Sequence, residues 1–198
     1  MRKKDLNTKE TIIENALKVF GKKGYFKTTV DDIANAVGLA KGTLYLYFKD
    51  KESLYIATID HQFKNALNFL SEIETKKGSS TQKMTDIASN FVVYMKELGS
   101  THTLFTIESL NLSEKILKHI KPIIIPKLTE MTKMVSRIIK EGIKKGEFKD
   151  VNPDVAAYYF LNTIRTIFSG SVLMPHLADN ANAILELYFK GLKKTRES

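Results

Sequence analysis

The chain of 198 residues contains no cysteine, and this one absence excludes disulfide frameworks, thiolate metal sites and cysteine nucleophiles together. A reducing compartment is compatible with it. Also missing is any apolar run approaching the roughly 20 residues that cross a bilayer. The basic start Met1-Arg2-Lys3-Lys4 leads into an amphipathic stretch, not an apolar core, so no secretory signal or membrane association is expected and the protein should be cytoplasmic. The four histidines (His61, His102, His119 and His176) are scattered without metal-ligand spacing, so no metal and no cofactor are expected. Gly-rich phosphate loops, nucleophile elbows and Ser/His/Asp arrangements are lacking too, which argues against an enzyme and leaves no catalytic candidate. Strand alternation and internal repeats are equally absent.

The excess is in positive charge. Lys and Arg number 31 against 22 Asp and Glu, a net +9 that suits a polyanionic partner such as nucleic acid. Residues 1–51 carry 11 basic against 6 acidic side chains, an excess of five, whereas 52–198 hold an excess of only four over nearly three times the length.

Apolar residues recur at three- and four-residue spacing nearly throughout, so the predicted fold class is all-α. Ile12, Ile13, Ala16, Leu17, Val19 and Phe20 mark a first helix over about 9–22, with Thr8 as its cap or Thr11 with Glu14 as an alternative capping pair, and Gly21 and Gly24 bracketing its stop. A second short helix follows Thr28 or Thr29, and its first turn carries Asp31 and Asp32, whose expected role there is helix-dipole compensation, not a catalytic pair. It ends at Gly38. A third runs over about 40–47 and a fourth from about Lys51 towards Ile73. Beyond the polar loop 76–80, helices are expected from Thr81 to Leu98, His102 to Leu110, Ser113 to Ile120, and, after Pro122 and Pro126, up to Lys145. The last two are predicted from Pro153 and from about Asn180 to Lys193.

Residues 30–48 place two short helices across a tight turn at Gly38, as a helix-turn-helix requires. Ala34, four residues before Gly38, leaves room for the helices to approach, and Ile33, Val37, Leu39 and Leu44 can form the small core between them. Any helical hairpin could share that spacing, but the surface residues point to DNA. Lys41, Thr43, Tyr45 and Lys49 lie on or near the exposed side of the third helix, with Tyr47 and Lys51 at its end. Lysines neutralise phosphates, and Tyr and Thr hydroxyls donate to phosphate oxygens or touch base edges. Gly42 lets the backbone approach the duplex, while Thr28 and Thr29 offer hydroxyls and N–H groups to a phosphate.

The run Gly42-Thr43-Leu44-Tyr45-Leu46-Tyr47-Phe48-Lys49-Asp50-Lys51-Glu52-Ser53-Leu54 closely resembles the signature of the tetracycline-repressor (TetR) family. Phe20-Gly21-Lys22-Lys23-Gly24-Tyr25, Thr28-Thr29-Val30-Asp31-Asp32-Ile33-Ala34 and Glu141-Gly142-Ile143-Lys144-Lys145-Gly146-Glu147-Phe148 fit the same pattern. The resemblance implies a three-helix DNA-binding head at 1–51 and a larger helical effector-binding and dimerisation body at 52–198, about nine helices in all. It assigns phosphate contacts to Thr29, Tyr45, Tyr47 and Lys51, and base-proximal roles to Lys41, Gly42 and Thr43. It further implies a homodimer on a palindromic double-stranded DNA operator, acting as a repressor released by a small molecule. A regulator without an inducer, or an activator, remains the alternative.

The family's dimer interface falls on the two final helices, which makes Tyr158, Leu161, Arg165, Phe168, Ile184, Leu187 and Tyr188 the interface candidates; both helices could instead close the monomer's own core. An apolar or amphipathic effector wedged among the body helices would move the fourth helix. Its candidate lining is Phe63, Phe91, Tyr94, Met95, Phe105, Glu108, Met131, Met134, Tyr159 and Asn162, each of which could equally be ordinary core or, for Glu108, ordinary surface.

Overall fold

The helical period written into the sequence becomes eight helices in the computed structural model, which describes residues 3–98, 114–173 and 181–193, with side chains at 8–90, 114, 116–167 and 182–193. They are α1 (Lys3–Lys27), α2 (Val30–Val37), α3 (Lys41–Tyr47), α4 (Lys51–Thr75), α5 (Ser80–Leu98), α6 (Glu114–Lys144), α7 (Pro153–Leu173) and α8 (Ala181–Leu192). The described residues form no strand, only a lone antiparallel bridge between Phe148 and Lys193. None of the described helices is long and apolar enough to cross a membrane. The predicted helix at 102–110 lies outside the described residues.

The chain divides into two compact units, one of Met1–Lys64 with Leu98–Ile124 and one of Asn65–Glu97 with Ile125–Ser198. In the first, α1 buries Ile12, Ile13, Ala16 and Phe20, a stripe at helical spacing. The same unit buries Ile33, Ala34, Leu44, Phe48, Leu54 and Tyr55. Helix α1 begins earlier than expected, so Thr8 lies inside it and does not cap it, and Gly24 interrupts it with φ 75°, ψ 162°.

The second unit is built around Met84, Ile87, Met134, Val135, Ile138, Ile139, Phe148, Phe160 and Ile164. Its organising turn is the segment Glu141–Phe148. Gly146 adopts φ 74°, and the Glu147 amide donates back to the Gly142 carbonyl at 2.8 Å. The Glu147 carboxylate then accepts from the amides of Ser80 (3.1 Å) and Thr81 (2.8 Å), capping α5 from 66 and 67 positions away. Asn152 caps α7 through its side-chain oxygen, which accepts from Asp154 and Val155.

The prolines correct a prediction. Helix α6 runs unbroken through Pro122 and Pro126 and does not restart after them. Each proline deletes one i→i−4 hydrogen bond, which frees the carbonyls of Lys118 and Pro122. Lys118, Pro122 and Pro126 are all exposed, so the freed carbonyls can turn to water without breaking the helix.

Gly142 must stay small. A Cβ there would overlap the Phe148 ring and lie 2.8 Å from Ser80 Cβ, and both residues are buried. Gly142→Ala should therefore destabilise the fold by about 1–3 kcal/mol despite alanine's better helix propensity, read as a lowered Tm. An unchanged or raised Tm would show that Phe148 can yield.

Candidate nucleic-acid interface

Between α1 and α2 two adjacent threonines divide the work. Thr29 is the N-cap of α2: its hydroxyl oxygen accepts from Asp32 N at 3.1 Å, and its own amide donates to Asp32 Oδ2 at 2.8 Å, a reciprocal capping box. Thr28 is only 1% exposed, and its hydroxyl donates inward to Gly24 O at 2.7 Å. This corrects the expectation that Thr28 offers a hydroxyl to phosphate: that group is already used to hold the α1–α2 turn. Thr29 stays on the surface.

Gly38 closes α2 in the left-handed conformation, φ 74° and ψ 31°, and its amide and that of Leu39 return to Asn35 O and Ala34 O. Space around Gly38 is open, so what demands glycine is the positive φ. The turn delivers α3, of which only Leu44 is buried. Lys41, Gly42, Tyr45, Leu46 and, just beyond, Lys49 are exposed, while Thr43 and Tyr47 are half-buried. Leu46, 83% exposed, was not singled out by the sequence reading. Its apolar type disguised a surface position, yet in a seven-residue helix anchored at Leu44 the neighbouring position two residues on has to point away.

Ion pairs order this surface. Lys41 Nζ sits 2.8 Å from Asp31 Oδ2 and Lys23 Nζ 2.6 Å from Asp32 Oδ1. The lysine beside Asp32 and the hydrogen bonds from Thr29 hold that carboxyl at about 2, below its ordinary 3.8. The acidic residues of the α2 first turn thus cap the helix and fix two lysines.

Lys51 is not a free surface cation. Its Nζ donates to Tyr25 O and Thr28 O, each at 2.9 Å, and lies 4.4 Å from the centre of the Tyr25 ring. Burial pulls its pKa down. The phosphate role predicted for Lys51 has to be reconciled with this prior engagement, in which the ammonium ties the start of α4 to the α1–α2 turn. Beneath it Tyr55 packs on Phe20 at 5.0 Å and on Tyr25 at 4.7 Å between ring centres.

The body candidates separate cleanly. Phe63 is buried in the first unit; Met134 is core and Met131 packs against core in the second. Tyr159, predicted to line an effector pocket, is 65% exposed on α7, and Asn162 shares that face, its side chain donating to Tyr158 O. Ala157, Phe160, Ile164 and Ile167 take the inward side, so helical phase turns Val155, Tyr158, Tyr159 and Asn162 outward. Tyr159 and Asn162 therefore belong with the surface of α7, a correction. Among the interface candidates Tyr158, Arg165 and Leu187 are exposed, whereas Leu161, Ile184 and Tyr188 pack against the unit's own core, Tyr188 OH donating to Ala156 O at 2.9 Å. The side chains of Phe91, Tyr94, Met95 and Phe168, and residues Phe105 and Glu108 entirely, lie outside the description.

A family model for bacterial regulatory proteins of the tetR family matches residues 12–58, and a tetracyclin repressor-like C-terminal domain matches 77–169. The chain belongs to the TetR family. As such it is a DNA-binding transcriptional regulator and not an enzyme. It is 27% identical to the fatty acid metabolism regulator protein of Bacillus subtilis over 91% of this chain and 93% of that one. It is 33% identical to the biofilm operon icaADBC negative transcriptional regulator IcaR of Staphylococcus aureus, over 45% of this chain and 48% of that one. Among solved structures, the transcriptional regulator FadR of Bacillus subtilis in complex with stearoyl-CoA superposes with a TM-score of 0.72 at 25% identity, covering 92% of this chain and 98% of that one.

Two outcomes are expected at this surface. Because Asp32 titrates lower when folded than when unfolded, its contribution is complete above about pH 4 and drains as pH falls towards 2. Wild type should lose more Tm than Asp32→Asn over that window; parallel losses would exclude the capping carboxylate as a contributor. Asp31→Asn should release Lys41 to phosphate, tightening binding to arbitrary duplexes and steepening the log–log salt dependence by about one unit. An unchanged slope would show that Lys41 does not reach phosphate.

Proposed function

We propose that this TetR-family protein is a cytoplasmic repressor that binds a palindromic operator as a homodimer and leaves it on binding a long-chain acyl thioester. The observation that carries the DNA half of the reading is the mounting of α3: Leu44 anchors it, Gly38 aims it, and Lys41, Tyr45 and Leu46 are left in solvent. A short helix so presented fits the major groove. In this reading Lys41, Gly42 and Thr43 approach base edges, Leu46 offers an apolar contact for a thymine methyl group, and Thr29, Tyr45, Tyr47 and Lys49 meet phosphates. Lys51 serves mainly by holding the turn that presents Thr29.

Two recognition helices reading one palindrome require a symmetric pair, with half-sites about 34–36 Å apart or a multiple of it. The exposed apolar side chains Val155, Tyr158, Tyr159 and Leu187 of α7 and α8 supply a self-complementary patch for that pairing. The direction of regulation and the effector class follow the relatives: a negative regulator, and a regulator held with stearoyl-CoA. An acyl thioester is amphipathic, as the apolar body suggests.

Selection of duplexes from a random pool, followed by titration of the selected site with stearoyl-CoA, tests this. Recovery of inverted half-sites bound by two copies, and release by stearoyl-CoA, is the expected result. Tyr158→Glu with Leu187→Glu should give a folded monomer with operator affinity lowered at least about tenfold, the equivalent of about 1.4 kcal/mol. Enrichment of single, unpaired sites would rule out the dimer, and an operator complex indifferent to stearoyl-CoA would rule out the effector class.

A further inference from the structure

The buried face of α4 carries Leu54, Tyr55, Thr58, Ile59, Gln62, Phe63, Leu70 and Ile73. Two of these are polar. Thr58 is satisfied within the helix, its hydroxyl donating to Tyr55 O at 2.6 Å. Gln62 is not: it is 3% exposed, and among the described residues neither its Nε2 nor its Oε1 has a hydrogen-bond partner. A primary amide brings two donors and an acceptor, and burying it unpaired is among the costlier choices open to a side chain. Leucine would fill nearly the same space without that cost. A buried amide left unpaired in this way calls for an explanation.

We propose that Gln62 is the polar anchor of the effector site, and that it pairs with the thioester carbonyl and neighbouring amide N–H of an acyl-pantetheine arm. This rests on the acyl-thioester reading above and deepens it. The amide selects the chemistry. Full pairing needs an acceptor and a donor presented together; a fatty-acid carboxylate offers acceptors only and would leave Oε1 facing lone pairs, while a cation offers donors only. A thioester one short linker away from a secondary amide offers both. Ile59, one turn before Gln62, and Phe63, next to it, are apolar neighbours on the same helix suited to acyl methylenes.

Position gives the anchor leverage. Gln62 lies seven residues, about 10 Å of helix, beyond Tyr55, whose ring packs on Phe20 and Tyr25, and eleven beyond Lys51, which grips the α1–α2 turn. Both belong to the same compact unit as Gln62. A ligand that shifts α4 at Gln62 thus acts on the core that sets the attitude of α3.

Full-length wild type, Gln62→Leu and Gln62→Met are titrated with stearoyl-CoA, stearate and coenzyme A at neutral pH, reading the dissociation constant, the ligand-induced rise in Tm and operator affinity. Wild type should bind stearoyl-CoA at least tenfold tighter than stearate. Gln62→Leu should keep operator affinity, show an unliganded Tm equal to or above wild type, and bind stearoyl-CoA at least tenfold more weakly. Should Gln62→Leu fail to fold, Gln62→Met carries the test, since its thioether has no donor and predicts the same loss. Stearoyl-CoA affinity that survives either substitution overturns the anchor alone; a Gln62→Leu chain with lowered Tm and full affinity does so by marking the amide as part of the resting core. Wild type that ignores stearoyl-CoA removes the effector class and the anchor with it.

Discussion

The first unit is tied together by a single packed knot, the rings of Phe20, Tyr25 and Tyr55 closed over by the Lys51 ammonium. Each aromatic pair of this kind contributes on the order of 0.5–1.5 kcal/mol beyond the area it buries, and the cation over Tyr25 adds to it. More important than the sum is what is joined. Phe20 and Tyr25 come from α1, Tyr55 and Lys51 from α4, and the two carbonyls that Lys51 holds are those of Tyr25, near the end of α1, and Thr28, in the turn leading to α2. The turn on which α2 and α3 are mounted is therefore held by residues away from the exposed face of α3.

Much of this was readable in advance. The three- and four-residue period located α1 to α4, and Gly38 with Ala34 and Leu44 marked the helix-turn-helix. Where reading failed, the cause was a choice between chemically similar neighbours. Thr28 and Thr29 are identical residues, and only Asp32, three beyond Thr29, decides which one caps and which one turns inward. Tyr158 and Tyr159 look alike as well; the phase fixed by Phe160 and Ile164 puts both outside. Pro122 and Pro126 are helix-breakers by local rule, overruled because their freed carbonyls meet water. Gln62 was invisible for the opposite reason: one polar residue in an amphipathic stripe looks like a boundary residue until its burial is known.

The second unit uses charge differently from the first. Lys83, buried, donates to Glu74 O and lies 3.5 Å from Glu141, while Arg137 grips Glu74 and Glu130. These groups stitch helix ends and crossings where apolar packing alone leaves carbonyls and carboxylates exposed to one another. The excess positive charge of the chain is thus only partly an address for DNA. Part of it is consumed internally.

The long reach of Glu147 to the first turn of α5 carries a consequence for how the chain acquires its shape. The amides of Ser80 and Thr81 find their acceptor on a residue synthesised 67 and 66 positions later, at a turn where Phe148 is seated closely against Gly142. Local forces complete only part of the beginning of α5: Ser79 Oγ accepts from Gln82 N at 3.0 Å, while the amides of Ser80 and Thr81 wait for a distant carboxylate. Protection of those two amides against solvent hydrogen exchange becomes a reporter on the maturation of the whole C-terminal half, because it appears only once the Glu141–Phe148 turn has locked.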